Sequence, residues 1–171
     1  MDDEGLFKDP QRGTTYAVGF YHIAWSTTEA IIECAIAKQL NLGPIEGSIV
    51  TSGIMFVGRA KMLEALLLRE EKANATALKF LRRIMNSPDR VDLTHSIVGL
   101  NDTGLYFRRR KLDGGFKSTD IPYDLVSLIT KAKDLSLNAG ELQKALGITD
   151  DDFNTYFQAA HSAVAKDGKS P

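Results

Sequence analysis

Helical spacing of apolar residues dominates the first half of the chain. Apolar side chains occupy almost the whole circumference over residues 14–42, which is typical of a central helix in a bundle. The sequence "NLGP" predicts the end of this helix, with Gly43 as the helix-ending residue and Pro44 preventing continuation. Further apolar stripes predict a helical region over 45–71, broken near Gly53, and a third helix from about Ala73 to just before Pro88.

A short fourth helix is predicted directly after this point. Ser87 suits the capping position, Pro88 fits the first turn without wasting a donor, and Asp89 favours the positive end of the helix dipole. Arg90 and His95 then lie on one short helix, and the helical rhythm lasts until about residue 100.

The helical spacing of apolar residues is interrupted over 101–119. "NDTG" is a turn, "LYFRRRKL" has the aromatic and aliphatic content of a strand, and "DGG" is a hairpin connector, so a small β-hairpin is predicted at about 105–118. Helical spacing resumes at Ile121 and continues to Gly147.

The last helix begins at "TDDDF". Thr149 is its predicted cap, the acids occupy its first turn, and Phe153, Tyr156, Phe157 and Ala160 form its packing face. The predicted fold class is therefore mainly all-α. A helical bundle over 14–147 carries the hairpin as an insertion, a C-terminal helix over 148–166 packs on the bundle, and residues 1–13 and 167–171 are loose tails.

Composition narrows the class of protein only a little. The chain has 171 residues, 43% hydrophobic and 25% charged, with a formal net charge of -1, as expected of one soluble domain. The single cysteine rules out an internal disulfide, and the acidic start is unlike a secretory signal. With no apolar run of bilayer length, a cytoplasmic location without a membrane role is expected.

Arg90 and His95 have side chains suited to cleaving a phosphodiester. Histidine titrates near neutral pH and can take up a proton, while arginine is a permanent cation that can stabilise a phosphate under attack. On an ideal helix the two point about 140° apart, so they converge only across a groove or a subunit boundary. The alternative is an exposed pair in which His95 is bonded to a nearby acid or carbonyl.

The segment from Arg90 to His95, "RVDLTH", followed by "SIVG", resembles the signature of the HEPN family, an arginine and a histidine separated by four to six residues. The resemblance implies a helical bundle, a homodimer, and a metal-independent ribonuclease whose composite cleft takes both residues from two subunits. The family's polar residue after the arginine is Val91 here, with the acid displaced to Asp92. Asp92 is three residues before His95, close enough on a helix to orient its ring, or it is simply a solvated charge.

A narrow polar strip runs along the first helix. His22, Ser26, Glu29 and Glu33 lie within about 60° of one another at 100° per residue. The strip faces either bulk solvent or the cleft of Arg90 and His95, and in the second case Glu29 or Glu33 is expected to pair with an arginine.

The densest group of basic residues lies on the predicted hairpin: Arg108, Arg109, Arg110, Lys111 and Lys117. Tyr106 and Phe107 beside them add flat faces for unpaired bases, so the hairpin is a candidate RNA clamp. The alternative is that the charges protect an exposed strand edge from aggregation.

Other motifs carry less chemistry. Residues 139–157 resemble a helix-turn-helix DNA reader, but the three carboxylates that open its second helix are unfavourable near DNA, and a helical hairpin that packs on the bundle or a partner is the alternative. Cys34 is predicted to be a buried structural thiol, and no zinc spacing or cofactor motif is found. Two function hypotheses remain, a ribonuclease and a non-catalytic dimerisation or interaction module, with RNA, a second copy, or a protein such as an antitoxin as partners.

Overall fold

The computed structural model describes residues 9–87, 93, 96–101, 104–112 and 116–167. The helices and strands in these ranges are α1 (Pro10–Gln39), α2 (Pro44–Thr51), α3 (Phe56–Leu68), α4 (Ala75–Met85), β1 (Ile97–Asn101), β2 (Gly104–Leu112), β3 (Phe116–Tyr123), α5 (Leu125–Ala145) and α6 (Asp150–Asp167). The prediction of a mainly helical protein is confirmed. No helix in the described ranges has a stretch long and apolar enough to cross a bilayer.

The helix α1 starts four residues before the predicted position, because the preceding residues are good helix starters. The Asp9 carboxylate accepts hydrogen bonds from the backbone N–H groups of Gln11 (3.0 Å) and Arg12 (3.3 Å), and Pro10 fits the first turn. Residues 10–13 are therefore helical and not part of a loose tail.

Asn41, and not Gly43, ends α1. Asn41 has a φ of 53°, its N–H donates to the Lys38 carbonyl, and the N–H of Leu42 donates to the Ala37 carbonyl. These are the two hydrogen bonds of a Schellman motif, in which asparagine can replace the usual glycine. Gly43 instead precedes Pro44 as the cap residue of α2. The predicted break near Gly53 is confirmed, with a φ of 74° between α2 and α3.

The predicted hairpin is part of a larger antiparallel sheet in the order β1-β2-β3. β1 lies where the fourth helix was predicted to continue, so that prediction is wrong for residues 97–100. Ile97 and Val98 are β-branched and pair with Arg108 and Phe107 of β2, so tertiary pairing overrides the helical spacing. β3 also extends to Tyr123, and α5 starts at Leu125 instead of Ile121, because Asp124 caps it by accepting from the Ser127 N–H at 2.8 Å.

The chain divides into two compact units, Met1–Trp25 with Ser87–Leu135, and Ser26–Asn86 with Ser136–Pro171. The first unit buries Ala17 and Tyr21 of α1, Leu105 and Phe107 of β2, and Leu128 of α5. Phe107 lies edge-on to Tyr123, with ring centroids 5.4 Å apart. β2 thus contributes Leu105 and Phe107 to the interior of this unit.

The second unit contains the C-terminal half of α1, α2 to α4, the C-terminal part of α5, and α6. Its largest buried side chains include Ile31, Ile32, Ile36, Leu63, Leu67, Leu81, Ile84 and Leu142. α2 packs on α6 through Gly47, where an added Cβ would lie 2.5 Å from the Ala37 Cβ and 3.1 Å from the Tyr156 ring. The predicted Thr149 cap is confirmed, since its hydroxyl accepts from the Asp152 N–H at 3.1 Å and the Asp152 carboxylate accepts from the Thr149 N–H.

Candidate nucleic-acid interface

The three residues at the centre of the sequence prediction, Arg90, Asp92 and His95, lie outside the described residues. Between them, Leu93 is described and is 1% exposed, so this segment contributes an apolar side chain to the interior. β1 begins at Ile97, two residues after His95 in the sequence.

Strand alternation divides the predicted basic patch between the two faces of the sheet. Arg108 is on the face opposite to buried Phe107, while Arg109 is on the Phe107 side. Lys117 also falls on the Phe107 side, since it alternates with Ile121, the cross-strand neighbour of Phe107. Arg110 and Lys111 pair through the backbone with Ser118 and Lys117. The described side chains of Arg108, Arg109 and Lys117 thus do not share one face of the sheet.

Arg108 is held by a carboxylate of the neighbouring strand. Its Nε donates to one oxygen of Asp120 at 2.7 Å and its second nitrogen donates to the other oxygen at 2.9 Å. The two side chains are 42% and 40% exposed. The Arg108 hydrogen bond lowers the pKa of Asp120, and the same bond raises the pKa of Arg108. The geometry is the planar two-pronged pairing that a guanidinium also makes with phosphate.

Tyr106 lies on the same face as Arg108. The guanidinium carbon of Arg108 is 5.2 Å from the centre of the Tyr106 ring, within cation–π range. On β1, Gly99 pairs with Tyr106, and a Cβ added to Gly99 would overlap the ring and its hydroxyl. Gly99 has no side chain, so the Tyr106 ring can pack directly against the β1 backbone.

The polar strip of α1 has two different environments. Glu29 and Glu33 both bind Arg59 of α3, with Glu29 at 3.0 Å, and the Arg59 side chain is only 14% exposed. The arginine that binds these glutamates is Arg59, while the predicted cleft beside Arg90 and His95 lies outside the described residues. His22 and Ser26 are exposed, as the solvent interpretation of the strip predicts for them.

Cys34 is buried, as predicted, and lies beside a cavity of about 380 Å³ in the second unit. Burial raises the pKa of its thiol, and Asp152 adds to that increase. Lys38 at the same cavity donates to the Gly147 carbonyl at 2.6 Å and to Asp152 at 3.4 Å. A protonated, buried thiol next to a carboxylate is a poor nucleophile.

Two partners in these contacts were not predicted from the sequence, Asp120 and Arg59. Asp120 could have been found from the sequence. In a hairpin with a three-residue connector at 113–115, residues equally far from Gly114 pair across the strands, and Arg108 and Asp120 are such a pair. Arg59 is thirty residues from Glu29, and no local pattern links them.

Within the described ranges, no three histidine, cysteine or acidic side chains come together as potential metal ligands. Comparisons with protein-family models, with curated proteins and with solved structures find no match to this chain.

Proposed function

We propose that this chain is an RNA-cleaving protein of the HEPN type that acts without a metal through Arg90 and His95. The observation that carries the proposal is the sequence "RVDLTH", which continues after a single residue, Ser96, into a sheet that bears a guanidinium and an aromatic ring on one face.

The chemistry follows from the two side chains. The 2′-hydroxyl of RNA attacks the adjacent phosphorus while His95 accepts its proton, and the bond to the 5′-oxygen of the next nucleotide breaks. The products are a 2′,3′-cyclic phosphate and a 5′-hydroxyl whose proton comes from solvent. Arg90 stabilises the additional negative charge on the phosphate oxygens, and Asp92 orients the imidazole. In the HEPN arrangement two subunits supply these residues, so the active form is a homodimer with a composite cleft.

The basic residues of the sheet are the proposed RNA contacts in this arrangement: Arg108, Arg109, Arg110, Lys111 and Lys117. The chain has a net charge of -1, so attraction to a polyanion must be local. Glu29 and Glu33, which were expected to support the cleft, are engaged by Arg59.

Cleavage of labelled RNA in EDTA tests the proposal. The parent protein is expected to cut, and His95→Ala and Arg90→Ala are each expected to lose at least about a hundredfold in rate, the usual contribution of a proton-transfer group and of a charge-stabilising group, respectively. His161→Ala is the matched control and is expected to cut like the parent. Equal cleavage by all four proteins, or none by the parent, would end the nuclease hypothesis.

A non-catalytic interaction module is the second proposal, and one observation on α2 favours it. This helix packs on α6 through Gly47 and Thr51, while Ile45 and Ile49 are 46% and 67% exposed and Met55, just beyond the helix, is 83% exposed. Exposed apolar side chains in one stretch are typical of a protein contact. Light scattering after size exclusion should then show an assembly that Ile49→Glu dissociates, whereas a monomeric parent at micromolar concentration contradicts this proposal.

A further inference from the structure

The face of the sheet opposite to Phe107 has an ordered row of polar and aromatic groups. Gly99 of β1, Tyr106 and Arg108 of β2, and Asp120 of β3 lie on this face, as the backbone pairing of the three strands places them. Exposed neighbours on the same face include Ile97 on β1 and Pro122 on β3. We refer to this surface, defined by Gly99, Tyr106, Arg108 and Asp120, as the open face.

Tyr106 has the placement that a stacking platform needs. The bare Gly99 accommodates the ring against β1, and the Arg108 guanidinium lies 5.2 Å from the ring centre. A ring fixed by its neighbours loses little conformational entropy when a second flat group stacks on it. An unpaired base is a flat group of this kind, and stacking of one base on an aromatic side chain is sequence-tolerant.

Asp120 occupies the position on Arg108 that a phosphate would take. Its two carboxylate oxygens accept hydrogen bonds from two guanidinium nitrogens, at 2.7 and 2.9 Å, as two phosphate oxygens can. Because both side chains are about two-fifths exposed, water and salt screen the pair and an incoming anion can exchange with the carboxylate. Asp120 is therefore an internal competitor for any phosphate that approaches Arg108.

Local charge identifies the class of ligand. Residues 97–123 contain five basic and three acidic residues, a net charge of +2 within a chain of net -1, and these charges are shared between the two faces of the sheet, with Arg109 and Lys117 on the Phe107 side. Positive charge beside a half-buried ring suits a flexible polyanion with bases, while a double helix hides its bases from such a ring. An acidic protein segment would use the charge but would have no need of the ring.

We infer that the open face binds single-stranded RNA, with a base on Tyr106 and a phosphate that displaces Asp120 from Arg108. This inference rests on the proposed function for the identity of the substrate. It adds Tyr106 as the stacking residue and Asp120 as the residue that sets the affinity.

Fluorescence anisotropy with a labelled twelve-nucleotide single-stranded RNA tests the inference. All proteins carry His95→Ala so that the RNA stays intact, and titrations are made at low salt. Asp120→Asn is expected to tighten binding about two- to fivefold, the amount by which an exposed ion pair competes. Arg108→Gln is expected to weaken binding by a similar factor. Tyr106→Ala is expected to weaken it about tenfold, and Tyr106→Phe, which keeps the ring, to bind like the parent.

Glu64→Gln is the matched control for charge. Glu64 binds Arg82 at 2.7 Å in an exposed pair of the second unit, so this variant changes the net charge by the same amount as Asp120→Asn. Equal tightening by both variants, or none by Asp120→Asn, would overturn the role of Asp120. Thermal unfolding of each variant shows whether it is folded.

Two further measurements separate the remaining outcomes. If duplex RNA or poly-glutamate bound the protein as tightly as the single-stranded RNA does, single-stranded RNA would be overturned as the ligand. Cleavage is assayed separately with the parent protein. If the protein shows these binding effects but the parent does not cut RNA, the ribonuclease proposal is refuted and the RNA-binding role of the open face stands. If the parent cuts RNA but the binding effects are missing, the ribonuclease proposal stands and the role of the open face is refuted.

Discussion

Arg108 and Arg59 show how differently two arginines of one chain are held. Arg108 is 42% exposed and pairs with a single carboxylate, that of Asp120. Arg59 is 14% exposed between Glu29 and Glu33, and its Nε makes no hydrogen bond within the described residues. Arg59 balances the negative charge of these two partly buried carboxylates, so its role is structural.

Replacing Arg59 by methionine is expected to lower the free energy of unfolding by about 2 to 4 kcal/mol, because two partly buried carboxylates lose their counter-charge. Urea denaturation measures the loss. Arg82→Met, which breaks the exposed pair with Glu64, is the control and is expected to change stability by no more than about 1 kcal/mol. Similar losses for the two variants would contradict the structural role of Arg59.

Cys34 is expected to react slowly with iodoacetamide in the folded protein. Burial raises the pKa of its thiol, so at pH 7 it stays protonated, and thiolate is the reactive form. The rate, followed by mass spectrometry, should rise when the pH is increased towards 9 or when urea unfolds the chain. Fast alkylation at pH 7 without denaturant would show that the thiol is accessible and ionised.

At the scale of elements, the sequence predicts those features that depend on neighbouring residues. The apolar spacing of α1, the break at Gly53 and the Thr149 cap all arise within a few residues of chain. β1 was not predicted, because Ile97–Asn101 becomes a strand only by pairing with β2. For the same reason the Arg59 partner of Glu29 and Glu33 could not be found from local patterns.

The end of α1 gives a test of the left-handed turn. Asn41→Ala is expected to lower the free energy of unfolding by about 1 kcal/mol, because a positive φ strains a side chain with a Cβ and alanine cannot bond locally as asparagine does. Asn41→Gly is expected to be neutral or stabilising. Thermal unfolding compares the two, and equal stability of alanine and glycine at this position would rule out the strained turn.

At the scale of the whole molecule, stability should depend on acid through aspartates in both units. Arg108 lowers the pKa of Asp120, the Ser127 N–H lowers that of Asp124, and the Thr149 N–H lowers that of Asp152. Each folded-state pKa lies below the ordinary value of 3.8, so the stabilisation is complete well above that pH. It is lost as the pH falls through 3.8 towards the folded values.

The free energy of unfolding, measured in urea, is therefore expected to change little between pH 7 and pH 5 and to decrease below about pH 4. Asp124→Asn should be less stable than the parent at pH 7 and should lose less on acidification, since the altered residue no longer titrates. Asp150→Asn, at a carboxylate outside these three, is the comparison. A parent whose stability rises on acidification would contradict the lowered pKa values.

Gly47 lets α2 pack closely against Ala37 of α1 and Tyr156 of α6 because it has no Cβ atom. In a saturation library selected for folded protein, position 47 should be depleted of every other amino acid, because even one methyl group would collide with the fixed Ala37 Cβ. Gly140, with open space around it, should accept many substitutions in the same library. The amino acids that such a library accepts at position 47 therefore report how closely α2 packs on its neighbours.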